Sequence, residues 1–327
     1  MAKRNINLGF RVLVVLLSLF SVFVVFSCFV GSQVVLKTSH LVTNEETKGV
    51  SESLREKYDM DYNAFCRKYM VENLKLTSRY GGHTIPADFI YVDKYNSDVV
   101  VMVHDLGGNR YSNYPMAEFF LENGYSVITY DQRATNENTA KTTTLGYCEK
   151  YDLIACINYA QQFSKSGTVI VWGTSYGAAT AIQAVTHNGL TRDVKCVILE
   201  SPINDMEYIV EEEIKKMDTK LSSGYMMWCG NVMNNMLLGF SYSDIYSTRL
   251  GLNLTVPTFV INSKKDKVTP EFMGEEIYRY LPENVDYETN MNLNEIWTVK
   301  DSKHGEIWLD HEEEYREKVI SFIRNCN

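Results

Sequence analysis

The tightest constraint in this chain is the run Gly173-Thr174-Ser175-Tyr176-Gly177, which stands between two very different stretches. Before it, Val169, Ile170, Val171 and Trp172 are continuously apolar and β-prone; after it, Ala178, Ala179, Ala181, Ile182 and Ala184 are small and helix-forming. The first stretch reads as a strand buried on both faces and the second as the opening of a helix. A glycine two positions on either side of a serine has a mechanical meaning: strand and helix backbones approach across a turn too tight for a β-carbon. The serine hydroxyl then stands free at a helix N-terminus, where amide hydrogens and the helix dipole favour developing negative charge. The pattern is that of a nucleophile elbow.

A nucleophilic serine needs a base, and only three of the six histidines follow Ser175. His187 falls at the far end of the elbow helix, and His311 stands among Asp310, Glu312, Glu313 and Glu314 at the start of an amphipathic helix. His304 follows the apolar strand 296–299 and precedes Gly305, in a loop able to carry an imidazole over the sheet edge, so it is the expected base. The third member is a carboxylate that holds the imidazole tautomer. Asp266 is the expected acid: it lies on the loop leaving the strand 257–262, ahead of Thr269-Pro270, an N-cap and first-turn proline for the next helix. Glu200 and Asp205, after the strand 194–199, are its rivals. The chain order Ser175, Asp266, His304 is the order of an α/β architecture.

An oxyanion hole is the remaining part. The apolar run 99–103 ends in His104-Asp105-Leu106-Gly107-Gly108-Asn109-Arg110, where adjacent glycines let backbone amides turn toward a ligand. The amides of Leu106 and Tyr176 are the expected donors, each contributing roughly 3 kcal/mol in the transition state.

Strands expected near 87–92, 98–104, 125–131, 168–173, 194–200, 257–262 and 295–300 alternate with helices near 114–123, 150–164, 175–187, 271–281 and 311–325. Such alternation predicts an α/β fold with a doubly wound, mostly parallel sheet, its ligand site outside the carboxyl ends of the strands. An antiparallel edge hairpin is expected around Gly81-Gly82. More than fifty residues separate the strands ending at Leu199 and starting at Pro257, so an insertion is expected at about 203–250. It holds an acidic helix at 206–217 and a methionine- and aromatic-rich stretch from Tyr225 to Tyr242. It reads as a lid, whose apolar side chains line a site for acyl chains or pack on their own domain.

These motifs, with Tyr130-Asp131-Gln132-Arg133 at a strand end and Thr143-Thr144-Leu145-Gly146 before a helix start at Glu149, resemble the α/β-hydrolase superfamily over residues 74–327. Within it the likeness is to serine aminopeptidase-like and lysophospholipase-like bacterial hydrolases. The resemblance and the apolar N-terminal segment together imply a membrane-anchored serine hydrolase with an acyl-enzyme mechanism; the lid points first to lipid-like esters with a medium or long acyl group, and a short-peptide or amino-acid amide of the serine aminopeptidase type is the second reading. A hydrolase-fold binding protein without turnover is the alternative of a different class. Two departures stand out: Asp105 where relatives have glycine, and Ala134-Thr135-Asn136-Glu137-Asn138 where many carry a Gly-His-Gly turn. A carboxylate beside an oxyanion site would oppose its charge, so Asp105 is expected to face away.

Residues 12–36 carry no charge, and nineteen helical residues, 12–30, reach roughly 28 Å, close to the thickness of a bilayer core. Lys3, Arg4 and Arg11 precede this segment, which by the positive-inside rule predicts a cytoplasmic N-terminus at 1–11, a single-pass anchor at 12–36 and an extracytoplasmic hydrolase. A cleaved signal peptide is the rival reading. Residues 37–73 are polar, with an amphipathic helix expected from about 51 to 71 that serves as a stalk or packs on the hydrolase. A net charge of −9 without a basic tract argues against nucleic-acid binding. The seven cysteines show no metal-ligand spacing, Cys156 and Cys196 reading as core residues, and no phosphate loop or dinucleotide fingerprint occurs. No cofactor or metal is expected.

Overall fold

A computed structural model of the chain describes residues 8–58, 60–187, 190–286 and 291–326. Lys3 and Arg4, on which the orientation expected of the N-terminal segment partly rests, lie outside the described residues. The strands are β1 (Met70–Thr77), β2 (Thr84–Tyr91), β3 (Val99–Val103), β4 (Ser126–Tyr130), β5 (Val169–Thr174), β6 (Val194–Glu200), β7 (Thr258–Ser263) and β8 (Glu295–Val299). They form one sheet in the order β1-β2-β4-β3-β5-β6-β7-β8. The pairs β1·β2 and β2·β4 are antiparallel and all the others parallel, which is the mostly parallel sheet expected, with the β1·β2 hairpin turning at Gly81-Gly82.

The helices are α1 (Leu8–Ser39), α2 (Asn44–Lys48), α3 (Val50–Lys57), α4 (Tyr62–Lys68), α5 (Tyr114–Glu122), α6 (Glu149–Gln161), α7 (Tyr176–Val185), α8 (Met206–Lys215), α9 (Ser223–Leu238), α10 (Ser247–Gly251), α11 (Glu271–Tyr280), α12 (Ile307–Asp310) and α13 (Glu312–Asn325). Strand residues alternate between two cores. Val99, Val101 and Val103 face one built with α6, α7 and α11, while Val100 and Met102 face the other, built with α5 and α13. Burial of both faces explains why these strands read as unbroken apolar runs rather than as alternating ones. Cys156 and Cys196 are buried among them, and the cysteines are all free thiols.

The chain divides into two compact units, one of residues 39–207 and 243–327 and a smaller one of residues up to 38 and 208–242. The larger unit contains the whole sheet. Of the two readings of the polar segment, packing on the hydrolase is the one observed, from residue 39 on. Asn44 donates to the carbonyls of Thr135, Asn136 and Asn138, at 3.1, 3.1 and 2.9 Å, and Asn109 donates to the Thr47 carbonyl at 2.7 Å. Phe65 is buried, with its ring 4.9 Å from that of Tyr114. The single helix expected at 51–71 is broken into α3 and α4, and the chain is already in strand β1 at Met70. The end of that span belongs to the sheet because Val71 packs into the second core.

The smaller unit combines α1 with most of α8 and all of α9. Thus residues 208–242 of the expected insertion cluster with the N-terminal helix. Helix α1 is long and apolar enough to cross a membrane, and residues 8–26 of it are exposed throughout.

Candidate active site

Strand β5 enters the elbow and α7 leaves it. Ser175 between them has φ 53° and ψ −115°, a conformation that costs a non-glycine residue about 1–3 kcal/mol. The turn is pinned from both sides: the Ser175 amide donates to the Glu200 carbonyl at 2.8 Å, and the Ser175 carbonyl accepts from Ala178 at 3.1 Å. The flanking glycines do what the sequence pattern required. A β-carbon on Gly173 would lie 2.6 Å from the Gly177 carbonyl oxygen, and one on Gly177 would lie 2.3 Å from that of Val103 and 2.6 Å from that of His104. These obstacles are backbone and cannot rotate away. Gly177→Ala should therefore lower stability by about 3 kcal/mol, seen as a lower urea midpoint with the slope unchanged.

The structure brings Ser175, His304 and Asp266 together. His304 Nε2 lies 3.0 Å from Ser175 Oγ, and its Nδ1–H donates to Asp266 Oδ2 at 2.7 Å. Asp266 Oδ1 accepts the amides of Val268 and Thr269 at 2.8 and 2.9 Å, which aims the carboxylate. Burial alone would raise the Asp266 pKa, but the His304 hydrogen bond and charge, with the Thr269 donors, bring it below the ordinary carboxylate value. Burial alone would lower the His304 pKa; the hydrogen bond and charge of Asp266, then the charges of Asp105 and Glu200, raise it above its ordinary value.

Thr269 departs from the capping role expected of it. Its hydroxyl donates to Asp266 Oδ2 at 2.8 Å and lies 3.2 Å from His304 Nδ1, and Pro270 takes the N-cap position of α11 without a side-chain cap. The hydroxyl is drawn to the ionised carboxylate, a stronger acceptor interaction than a neutral cap. The rival acids do not reach the histidine. Glu200 Oε2 accepts from the Tyr315 hydroxyl at 2.8 Å, and Asp205 Oδ1 caps the Glu207 amide at 2.8 Å. His187 packs edge-on against Tyr151, and His311 pairs with Asp301 at 3.1 Å.

The loop after β3 is built around two buried groups. His104 accepts the Gln132 amide on Nε2 at 3.0 Å and donates Nδ1–H to the Asp105 carbonyl at 2.7 Å. Burial pushes its pKa down to about 4, so it stays neutral and braces the loop. Arg110 closes the other end: Nε donates to Asp88 at 2.9 Å, Nη1 to Asp131, and Nη2 to Glu137 at 2.7 Å. Tyr176, whose amide opens α7, is fixed by a 2.7 Å hydrogen bond between its hydroxyl and that of Thr143. Thr143, Thr144 and Gly146 in turn all donate to the buried Glu149 carboxylate, which explains the Thr-Thr-Leu-Gly motif before α6.

A cavity of about 290 Å³ opens beside His304 and Thr174, and the residues that line it all belong to the larger unit. Trp172, Trp308, Met116 and Pro115 make its apolar wall, with Leu106 and Gly107 at the loop. Sequence reasoning missed Lys57 and Tyr58, which reach the cavity from the polar segment; no local pattern marked them. It also misplaced Asp105. This residue lines the cavity rather than facing away, because Gly108 leaves room for the carboxylate: a β-carbon there would lie 2.6 Å from Asp105 Oδ1. Burial raises the Asp105 pKa, against the opposing charges of His304 and Lys57. Among the described residues no cluster of histidine, cysteine and carboxylate side chains is arranged to hold a metal ion.

A family model described as the alpha/beta hydrolase fold matches residues 98–240. The esterase Pf2001 of Pyrococcus furiosus superposes with a TM-score of 0.59 at 19% identity, over 83% of this chain and 95% of its own. The esterase EaEST of Exiguobacterium antarcticum does so with a TM-score of 0.53 at 18% identity, over 77% and 100%. The uncharacterized protein YqkD of Bacillus subtilis strain 168 is 21% identical over 249 residues, 76% of this chain and 75% of its own length. These likenesses show that the chain has the α/β-hydrolase fold.

Proposed function

We propose that this hydrolase uses Ser175 as its nucleophile and cleaves carboxylic esters through an acyl-enzyme intermediate. The observation that carries the reading is the hydrogen-bond chain from Ser175 Oγ through His304 to Asp266, with links of 3.0 and 2.7 Å. In this reading Ser175 Oγ attacks the carbonyl carbon while His304 Nε2 takes its proton, and Asp266 stabilises the imidazolium. The amides of Leu106 and Tyr176 receive the oxyanion. The tetrahedral intermediate collapses, His304 returns the proton to the leaving alcohol, and water repeats the sequence on the acyl-enzyme. The apolar wall of Trp172, Trp308 and Met116 suits a medium acyl group. The esterase folds of Pf2001 and EaEST support this reading. Asp105 and Glu200 in the cavity wall favour a second one, an acyl group that carries an amine, as in an aminoacyl ester or amide.

Helix α1 supports a membrane location, and Arg11 before it, read by the positive-inside rule, supports a hydrolase outside the cytoplasm. The test of the chemistry is fluorophosphonate labelling of the full-length protein in detergent micelles beside Ser175→Ala, followed by p-nitrophenyl esters of increasing chain length. Labelling confined to the wild type, with turnover greatest for medium chains, is expected. Labelling without ester turnover would favour amides, and a folded protein that takes no label would make it a binding protein.

The acid side of the pH profile offers a further check. His304 acts as base only when neutral, and its pKa stands above the ordinary histidine value, so kcat/KM falls as pH drops through that raised pKa. Asp105→Asn removes a charge that favours the imidazolium, and the acid limb should move to lower pH. A limb that stays in place would show that Asp105 is uncharged there.

A further inference from the structure

We infer that the insertion helix α9 is itself embedded in the outer face of the lipid bilayer, packed against the anchor α1, so that the apolar stretch read as a substrate lid serves the membrane. The inference rests on the reading of α1 as a membrane span.

Within the smaller unit the two helices meet at small residues. A β-carbon on Gly31 would lie 2.4 Å from the Cys229 carbonyl oxygen, and one on Gly230 would lie 2.6 Å from Val34 Cγ1. Such close approach is how helices associate in lipid, where apolar burial no longer drives them together. Hydroxyl pairs add to it: Ser27 with Tyr225 and Thr38 with Tyr242, each at 2.8 Å. The contact lies on residues 23–38 of α1, toward the end that leaves the membrane.

Helix α9 has the surface and the backbone accounting that lipid demands. No charged residue occurs between Lys220 and Asp244. While Met226, Cys229 and Met233 are buried, Trp228, Val232, Met236 and Leu237 are 52%, 44%, 71% and 60% exposed. This face continues the exposed apolar surface of α1, and an apolar groove lined by Phe23, Val24, Trp228 and Val232 runs between the two helices. Tyr225 and Trp228 stack at 6.2 Å, amphipathic rings of the kind enriched at the membrane interface. Sixteen residues reach roughly 24 Å, too short to span, which fits a helix that enters and returns on one side. The chain closes its own polar ends: Ser222 accepts the Tyr225 amide at the start, and at the finish Gly239 in the left-handed region donates to the Asn235 carbonyl, Asn234 donates to the Phe240 carbonyl, and Asn231 accepts the Tyr242 amide. Outside this zone Lys37 pairs with Glu213 at 3.6 Å, a charged contact that belongs in water.

The experiment replaces the seven native cysteines with alanine and places a bimane fluorophore on single cysteines introduced at Val15, Met236 and Lys220 of that full-length chain, reconstituted in phosphatidylcholine vesicles with increasing brominated lipid. Fluorophosphonate labelling of each variant verifies its fold. Quenching at 236 as steep as at 15, with none at 220, is the expected result. Quenching at 15 but not at 236 would overturn the inference and leave the anchor standing. No quenching at 15 would remove the anchor reading and the inference with it.

Discussion

Ser175→Ala and His304→Ala are each expected to lower kcat on an ester substrate by on the order of 10⁵-fold, with the double variant no worse than either. In the proposed mechanism the two groups act as one unit: without the imidazole the hydroxyl keeps its proton, and without the hydroxyl the imidazole has nothing to deprotonate. The 3.0 Å contact between them is the structural basis for this non-additivity. Asp266→Asn should cost somewhat less, on the order of 10⁴-fold, because it stabilises the wrong tautomer while leaving nucleophile and base in place. Single-turnover rates of ester cleavage check all four variants. A double variant far slower than both singles would mean that serine and histidine work independently.

Arg110→Ala destabilises the protein by about 3–5 kcal/mol, the cost of removing one partner from a buried ion cluster. The guanidinium is buried and bonds Asp88, Asp131 and Glu137, while the Tyr114 hydroxyl also donates to Asp88. Even with Arg110 in place, burial pushes the Asp131 pKa up to about 6. Without it, Asp131 takes up a proton in the folded state at a pH where the unfolded chain is ionised. The folded state then binds more protons, so the variant gains stability as pH falls, and its deficit against wild type narrows from pH 7 toward pH 5. Urea unfolding at the two pH values checks both size and sign. Arg110→Lys should recover little, since an ammonium has no planar fork to bond three carboxylates at once.

Much of the site was legible because it is written in local order. The elbow needs glycine at 173 and 177 for reasons confined to a few residues of backbone, and His304 and Asp266 sit on loops that leave strands readable as apolar runs. Thr269 shows where that legibility ends. Its place before Pro270 pointed to a helix cap, yet the carboxylate that claims its hydroxyl is Asp266, and the imidazole beside it comes from 35 residues away. Asp105 failed for a related reason: the expectation rested on charge alone, and the space that lets it face the cavity is made by the missing β-carbon of Gly108.

The sequence by itself determined the sheet, the loops that carry Ser175, Asp266 and His304, and the apolar N-terminal helix, because periodicity, turn chemistry and helix length are properties of neighbouring residues. Only the tertiary structure decided that Arg110 joins Asp88 to Asp131, that the polar segment sends Tyr58 into the cavity, and that α9 lies on α1 through Gly31 and Gly230. These contacts join positions up to about two hundred residues apart, as in the Ser27–Tyr225 pair. Their energy depends on burial and close approach, for which a chain read residue by residue carries no period.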